Sequence, residues 1–134
     1  MKKVKNGSYD VSHQGLKILH AKYFKIVGSL DCSYNNLESL EGSPKIIDFN
    51  FWCHRNYLTD LIGGPEKVGI DFDCARNNLV TLKGGPKFVG YSIFVNHNRL
   101  TNLLFFPKFV GHRVYHYYNH FLSLDYVPLV KLDV

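Results

Sequence analysis

The sequence predicts a mainly β fold: a single solenoid with about six short parallel strands on a concave face and extended or 3₁₀-like turns on the convex side. A 21-residue period runs through most of the 134 residues. Within the period, the segment Phe72-Asp73-Cys74 alternates apolar, polar and apolar residues, which is typical of a strand with one buried face. A proline late in each full period, with glycine just before it in three of them, excludes a long return helix.

Ladders of equivalent residues carry the period. The main series are Cys32, Cys53, Cys74; Asn35, Asn56, Asn77, Asn98, Asn119; Leu40, Leu61, Leu82, Leu103, Leu124; and Pro44, Pro65, Pro86, Pro107, Pro128. In a solenoid, equivalent residues of neighbouring repeats stack on each other. The leucine series therefore predicts the core. The asparagine series predicts a structural ladder that satisfies backbone groups at the bend after each strand.

The repeat predicts one domain over residues 1–134. Residues 8–27 form a degraded N-terminal cap repeat, with Gln14 in the asparagine slot and Tyr23 in the proline slot. Residues 28–128 hold five repeats, and residues 129–134 form a truncated terminal strand or cap. End repeats are expected to be atypical because one of their faces meets solvent. We favour the cap; the alternative is a homodimer that pairs through this C-terminal edge.

One family resemblance follows from these residues. The segment Phe72-x-Cys74-x-x-Asn77-x-Leu79-x-x-Leu82 resembles the leucine-rich repeat pattern L-x-L-x-x-N-x-L-x-x-L. The ending N-x-L-x-x-L-x-G-x-P resembles the short repeats of bacteriophage leucine-rich repeat proteins. It is also similar to repeats of secreted bacterial effectors with ubiquitin-ligase activity, which carry a separate catalytic domain that this chain has no room for. The phage resemblance implies an inhibitor or modulator of a host or defence protein.

Composition sets broad limits on the class of protein. The net charge of +5 is spread out, and aromatic residues make up 15% of the chain. We expect no signal peptide and no membrane span, because no apolar run is long enough for either. The three cysteines are an odd number in register with the repeat, which favours reduced thiols in the cytoplasm, the host cytoplasm if the protein is viral.

Two residue groups invite a chemical interpretation. The cysteine slot continues with Val95 and His116, so packing as small buried side chains is favoured over a metal or redox site. The repeat register separates His112, His116 and His120, which argues against zinc. It also places His116 inward, which predicts a distorted or partly open last repeat. No nucleophile–base pairing and no phosphate loop is recognisable. We therefore expect no enzyme activity, no catalytic residues, no metal and no cofactor.

The candidate site lies at outward positions that the core does not need. Large rings there predict a contact surface, because soluble proteins seldom expose such clusters without using them and Trp, Tyr and Arg dominate binding hot spots. The alternatives are that the rings only cover the sheet, or that Tyr117 or Tyr118 belongs to a distorted end repeat. The candidate partner-binding residues are Trp52, Arg55, Arg76, Phe94, His97, Arg113, Tyr115, Tyr117 and Tyr118.

Two functions are compatible with this surface. The first is a protein-binding module that grips another protein, one of the host cell, with its aromatic concave face. The alternative is nucleic-acid binding through aromatic stacking with Arg and Lys. Against nucleic acid, Asp31, Asp71 and Asp73 share the concave strip. In addition, the recurring lysines follow the prolines on the return side, at Lys45, Lys87 and Lys108.

Overall fold

The computed structural model describes residues 7–20 and 23–122, together with the backbone of residues 131–133. The described residues form short strands that all pair in parallel. The strands are β1 Tyr9–Asp10, β2 Lys25–Ile26, β3 Leu30–Asp31, β4 Ile46–Ile47, β5 Phe51–Trp52, β6 Lys67–Val68, β7 Phe72–Asp73, β8 Phe88–Val89, β9 Ile93–Phe94, β10 Phe109–Val110, β11 Arg113–Tyr115 and β12 Lys131–Asp133. No helix in this part of the chain is long and apolar enough to cross a membrane.

The odd-numbered strands and β12 form the larger sheet, in the order β1-β3-β5-β7-β9-β11-β12. Its register keeps the 21-residue step, since Leu30 pairs with Phe51 and Phe51 with Phe72. The solenoid predicted from the sequence is therefore confirmed. The last step along the chain is shorter: Val114 is opposite Leu132, a step of 132 − 114 = 18 residues. The C-terminal strand thus joins the sheet after a shortened return.

The return path is more regular than the sequence predicted. Extended or 3₁₀-like turns were expected there, and the extended segments pair with each other as a second parallel sheet, in the order β10-β8-β6-β4-β2. Inward side chains such as Ile47, Val68 and Val89 are fully buried, which suits β-branched residues on a pleated surface. The solenoid is therefore flattened, with a sheet on either side of one core.

The core is a stack of apolar layers between the two sheets. Phe51 and Phe72 are fully buried, with parallel rings whose centroids lie 5.6 Å apart. Cys32, Cys53 and Cys74 are also fully buried and free of disulfide bonds. These thiols fill the layer beside the rings as small apolar groups.

The asparagine ladder ties successive repeats together. The side-chain Nδ2 of Asn77 donates to the carbonyls of Cys53 and Cys74, each at 3.1 Å, and its Oδ1 accepts from the N–H of Leu58 at 3.0 Å. Asn56 makes the equivalent bonds one repeat earlier. Each amide therefore satisfies backbone groups of its own repeat and of the preceding one, as the sequence predicted.

The last full repeat is regular up to the bend after its strand. Asn119 keeps the ladder bonds, with its Nδ2 2.9 Å from the Val95 carbonyl and its Oδ1 2.9 Å from the Leu100 N–H. His116 lies half-buried in the inward slot, edge-on to the ring of Phe121 at 5.6 Å between centroids. The strand register and the ladder bonds are therefore regular in residues 113–119, but the inward slot is partly open, since His116 is half-buried where Cys74 and Val95 are fully buried.

Candidate functional site

Two columns of side chains dominate the concave face. The first, which we call the strand column, consists of the outward residues of the concave strands. The second, which we call the left-handed ladder, consists of the residues just before each ladder asparagine, or before Gln14 in the cap repeat. The strand column is Asp10, Asp31, Trp52, Asp73, Phe94, Tyr115. The left-handed ladder is His13, Tyr34, Arg55, Arg76, His97, Tyr118, and every member has a positive φ.

Trp52 lies between two aspartates in the strand column. The register places it opposite Asp31 on one neighbouring strand and Asp73 on the other. Its ring is half-buried. The sequence grouped Trp52 with Phe94, but Asp73 separates the two rings. The concave face therefore carries one isolated aromatic residue and a separate C-terminal cluster.

The C-terminal cluster consists of Phe94, Tyr115, His97, Tyr117 and Tyr118. The rings of Phe94 and Tyr115 stack with centroids 4.4 Å apart and planes within 4° of parallel. His97 stacks on Tyr118 at 4.5 Å. Tyr117 lies edge-on to both, with centroids 5.7 Å from His97 and 5.5 Å from Tyr118. The structure thus brings together five of the nine residues that the sequence singled out.

The strand column has a structural use wherever it holds aspartate. Asp31 Oδ1 accepts from the backbone N–H of Ser33 at 3.0 Å, and Asp73 Oδ1 accepts from that of Ala75 at 3.0 Å. Aspartate side chains commonly close such local turns. An aromatic ring cannot accept this hydrogen bond. The repeats of Trp52, Phe94 and Tyr115 therefore lack the local side-chain bond to the backbone that aspartate makes at this position.

The remaining predicted residues are divided between the two ends of the strands. Arg55 and Arg76 are adjacent and exposed in the left-handed ladder, and the guanidinium of Arg55 lies 5.2 Å from the ring centroid of Tyr34. Arg113 begins β11, at the opposite end of the strand, where its N–H donates to Ser92 Oγ at 3.3 Å. The structure therefore does not bring Arg113 to the other two arginines.

Burial and charge shift the pKa values of two groups on this face. Burial raises the pKa of Asp73, and the nearby Asp71 and Asp31 carboxylates add to the effect. The bond from Ala75 and the imidazole of His54, whose Nδ1 is 3.5 Å from Asp73 Oδ2, oppose it. The pKa of His97 is lowered, first by desolvation and then by the charges of Arg76 and Arg55.

The cysteines are packed in the core, and His112 and His116 lie in separate aromatic contacts. Burial raises the pKa of all three thiols well above the ordinary value, so they stay protonated, and Cys74 Sγ donates to the carbonyl of Phe94 at 3.3 Å. His112 stacks on Tyr91 before β11, whereas His116 packs against Phe121. Within the described ranges, no three His, Cys, Asp or Glu side chains lie close enough to hold a metal ion.

Sequence reasoning missed an apolar stripe at the edge of the return side. Phe49, Ile70 and Tyr91 are 47%, 36% and 49% exposed. Their 21-residue spacing is visible in the sequence, but they lie outside the concave strands, where the contact surface was predicted. A shallow groove of about 420 Å³ also lies on the return side, lined in part by Gly63, Gly84, Pro86, Lys87, Phe105 and Phe106.

Comparisons with known proteins found no match to this chain. No protein-family model matches the chain, and no curated protein or solved structure matches it. The features that bear on function are therefore those of the concave face: the aromatic cluster, the isolated Trp52 and the two adjacent arginines.

Proposed function

We propose that this protein is a protein-binding module whose concave face grips a partner protein through Trp52 and the C-terminal cluster. The observation that carries the proposal is the close parallel stacking of Phe94 on Tyr115, with 4.4 Å between centroids. Rings stacked in this way cover each other's faces and turn their edges, and the tyrosine hydroxyl, towards the open side of the sheet. Aromatic edges with a polar handle are typical of protein interfaces.

The same stacking counts against the nucleic-acid alternative. Single-stranded nucleic acids bind by laying bases on free aromatic faces inside a positively charged groove. Here the ring centroids of Phe94 and Tyr115 are 4.4 Å apart and the rings are nearly parallel, which leaves no space for a base between them. Asp31 and Asp73 also flank Trp52, and their carboxylates would repel phosphates. A protein surface is the better fit to this arrangement.

The resemblance to bacteriophage leucine-rich repeat proteins extends the proposal to the partner. On that resemblance, the partner is a protein of the host cell and binding inhibits or modulates it in the cytoplasm. Binding alone is the proposed activity. The fold presents the surface, and the partner's own function is what binding would change.

The test begins by identifying the partner through the proposed surface. A photo-crosslinking amino acid at Tyr117, which is 43% exposed, should capture a protein from nuclease-treated host lysate. The same amino acid at Tyr91, 49% exposed on the return side, is the control and should not. Recovery of nucleic acid at Tyr117, or of the same protein from both positions, would count against the proposal.

Affinity for the captured partner then tests the aromatic anchors. The triple variant Trp52→Ala, Phe94→Ala and Tyr115→Ala should bind at least about 100-fold more weakly, because hot-spot truncations commonly cost 2 kcal/mol or more each. The matched control removes Phe49, Ile70 and Tyr91 and should bind normally. Calorimetric titration measures both, and circular dichroism checks folding. Normal binding by a folded triple variant would overturn the proposal.

A further inference from the structure

The left-handed ladder is an uninterrupted row of planar side chains in an unfavourable backbone conformation. Its six φ values lie between +54° and +56°, and glycine occupies none of these positions. Glycine and asparagine adopt this conformation most easily, and bulky side chains rarely do. Histidine is moderately enriched there, but tyrosine and arginine are not. The four repeats with Tyr34, Arg55, Arg76 and Tyr118 therefore keep large side chains where the backbone alone favours small ones.

Stacking accounts for the two ends of the ladder. At the N-terminal end, His13 stacks on Tyr34 with 4.4 Å between centroids, and at the C-terminal end His97 stacks on Tyr118. Arg55 lies over the other face of Tyr34. The centre of the row is different, because it places the two guanidinium groups of Arg55 and Arg76 on adjacent repeats, where like charges repel each other.

No carboxylate in the described part of the chain forms a salt bridge with either guanidinium. In the strand column, the Asp73 carboxylate pairs with His54 and accepts a hydrogen bond from the Ala75 N–H. The positive charges of Arg76 and Arg55 extend to His97, where both contribute to lowering the pKa of the imidazole. Two adjacent, exposed and unpaired arginines are thus held at the centre of a row whose backbone is set by the repeat.

We propose that Arg55 and Arg76 form a clamp for the carboxylates of an acidic segment of the partner protein. The proposal rests on the protein-binding function and adds the chemistry of what is bound. Guanidinium groups pair with carboxylates through two parallel hydrogen bonds, and a rigid row of them gives geometric specificity. The rings of Tyr34 and His97 form the walls on either side.

A peptide titration tests the clamp without knowledge of the partner. At low ionic strength, a hepta-glutamate peptide should bind, and a hepta-glutamine peptide should not. The double variant Arg55→Gln/Arg76→Gln should bind hepta-glutamate at least tenfold more weakly. The control Lys45→Gln/Lys87→Gln removes the same charge from the return side and should bind as the wild type does. Equal losses in both variants, or no binding by the wild type, would overturn the clamp.

A second readout separates a bound carboxylate from a general charge effect. Hepta-glutamate should raise the pKa of His97, measured from the imidazole NMR signals, because a nearby anion favours the protonated ring. The shift should disappear in the arginine variant. Oligothymidylate that binds more tightly than hepta-glutamate through the same arginines would overturn the clamp in favour of nucleic acid.

The clamp and the protein-binding function can fail separately. With the crosslinked partner in hand, the arginine variant should lose affinity on its own. If only the aromatic triple variant weakens binding, the clamp is wrong and the binding module stands. If the Tyr117 crosslinker captures no protein while hepta-glutamate still binds, the protein-binding function is the part that fails.

Discussion

Neighbouring residues at the bend after each strand have opposite effects on stability. Asn77 donates to two carbonyls and accepts one N–H, so it stabilises the junction between two repeats. Arg76, immediately before it, has a φ of +54°. A left-handed conformation costs an ordinary residue about 1–2 kcal/mol. The bend therefore combines a residue that the fold requires with one that the fold disfavours, and the second is the better candidate for function.

Removal of the Asn77 amide should destabilise the fold. We expect Asn77→Ala to lower the free energy of unfolding by ~1–3 kcal/mol or more, because backbone groups of Leu58 and Cys74 lose buried partners. The neighbouring Asn78→Ala is the control and should change it by less than about 0.5 kcal/mol, the usual range for a surface substitution. Urea denaturation measures both. Equal effects would mean that the ladder bonds contribute nothing specific.

Asp73 should make stability depend on pH. Burial raises the pKa of its carboxyl in the folded state. The stability that the protonated carboxyl contributes is therefore fully present below the unfolded pKa and is lost as pH rises through the folded pKa. Asp73→Asn keeps an uncharged group there and should raise the melting temperature at about pH 7. The gain should vanish below about pH 4, where the wild-type carboxyl is protonated.

The control for Asp73 separates its charge from its hydrogen bond. Asp73→Ala also removes the acceptor for the Ala75 N–H, 3.0 Å from Asp73 Oδ1. This variant should be less stable than Asp73→Asn at every pH. A lower melting temperature for Asp73→Asn than for the wild type at about pH 7 would show that the ion pair with His54 outweighs burial.

At the level of the turn that leads into the return path, one slot distinguishes the repeat that holds Phe105 from the three full repeats before it. Gly42, Gly63 and Gly84 occupy it with φ between +85° and +87°, and Phe105 occupies it with φ +65°. At Gly84, an added Cβ would lie 2.4 Å from Ile62 Cα, so glycine lets adjacent turns touch. Phe105 and Phe106 line the groove on the return side. The close contact between adjacent turns, which glycine allows, therefore ends at Phe105.

Gly84→Ala tests how closely these turns approach. The free energy of unfolding of this variant should fall by more than the ~1–2 kcal/mol of left-handed strain, because its Cβ also meets the backbone of Ile62. Gly15→Ala is a matched control, because its φ is +65° but the nearest atom to its Cβ would be Asn36 Nδ2 at 3.9 Å. Urea denaturation compares the two. Equal losses would show that strain alone matters at both sites.

At the level of the whole molecule, every repeat contacts its neighbours and little else. The hydrogen bonds between strands join residues about one period apart, as in Cys53 N–H to the Asp73 carbonyl. Such proteins behave approximately as a chain of repeats with nearest-neighbour interfaces. A central repeat has two such interfaces, whereas β1 pairs only with β3 in the described sheet.

This arrangement predicts that the loss of stability on removing a core side chain depends on the position of its repeat in the stack. Phe72→Ala should reduce the free energy of unfolding by ~3–5 kcal/mol, because the ring is fully buried against Phe51 in the middle of the stack. Tyr9→Ala, on the first strand, should cost less and should cause the N-terminal end to unfold separately. Denaturation followed by hydrogen exchange measures both effects. A single cooperative loss of the same size in both variants would contradict the repeat description.

The sequence by itself determined the solenoid, the strand register and the inward and outward positions, because a strict 21-residue period leaves only one way to stack equivalent residues. It also selected all nine candidate contact residues. It could not decide which of them meet. Trp52 and Arg113 stand apart from the cluster, and the left-handed conformation at Arg55 and Arg76 is a property of the bend, not of their residue type.

Three features are visible only in the tertiary structure. They are the second sheet, the separation of Trp52 from Phe94 by Asp73, and the two adjacent arginines that have no salt-bridge partner. The physical reason is that a period specifies the distance between equivalent residues along the chain. It does not specify the backbone conformation within each repeat or how side chains turn across the sheet. Those depend on hydrogen bonds and stacking between repeats, and these form only when the solenoid closes on itself.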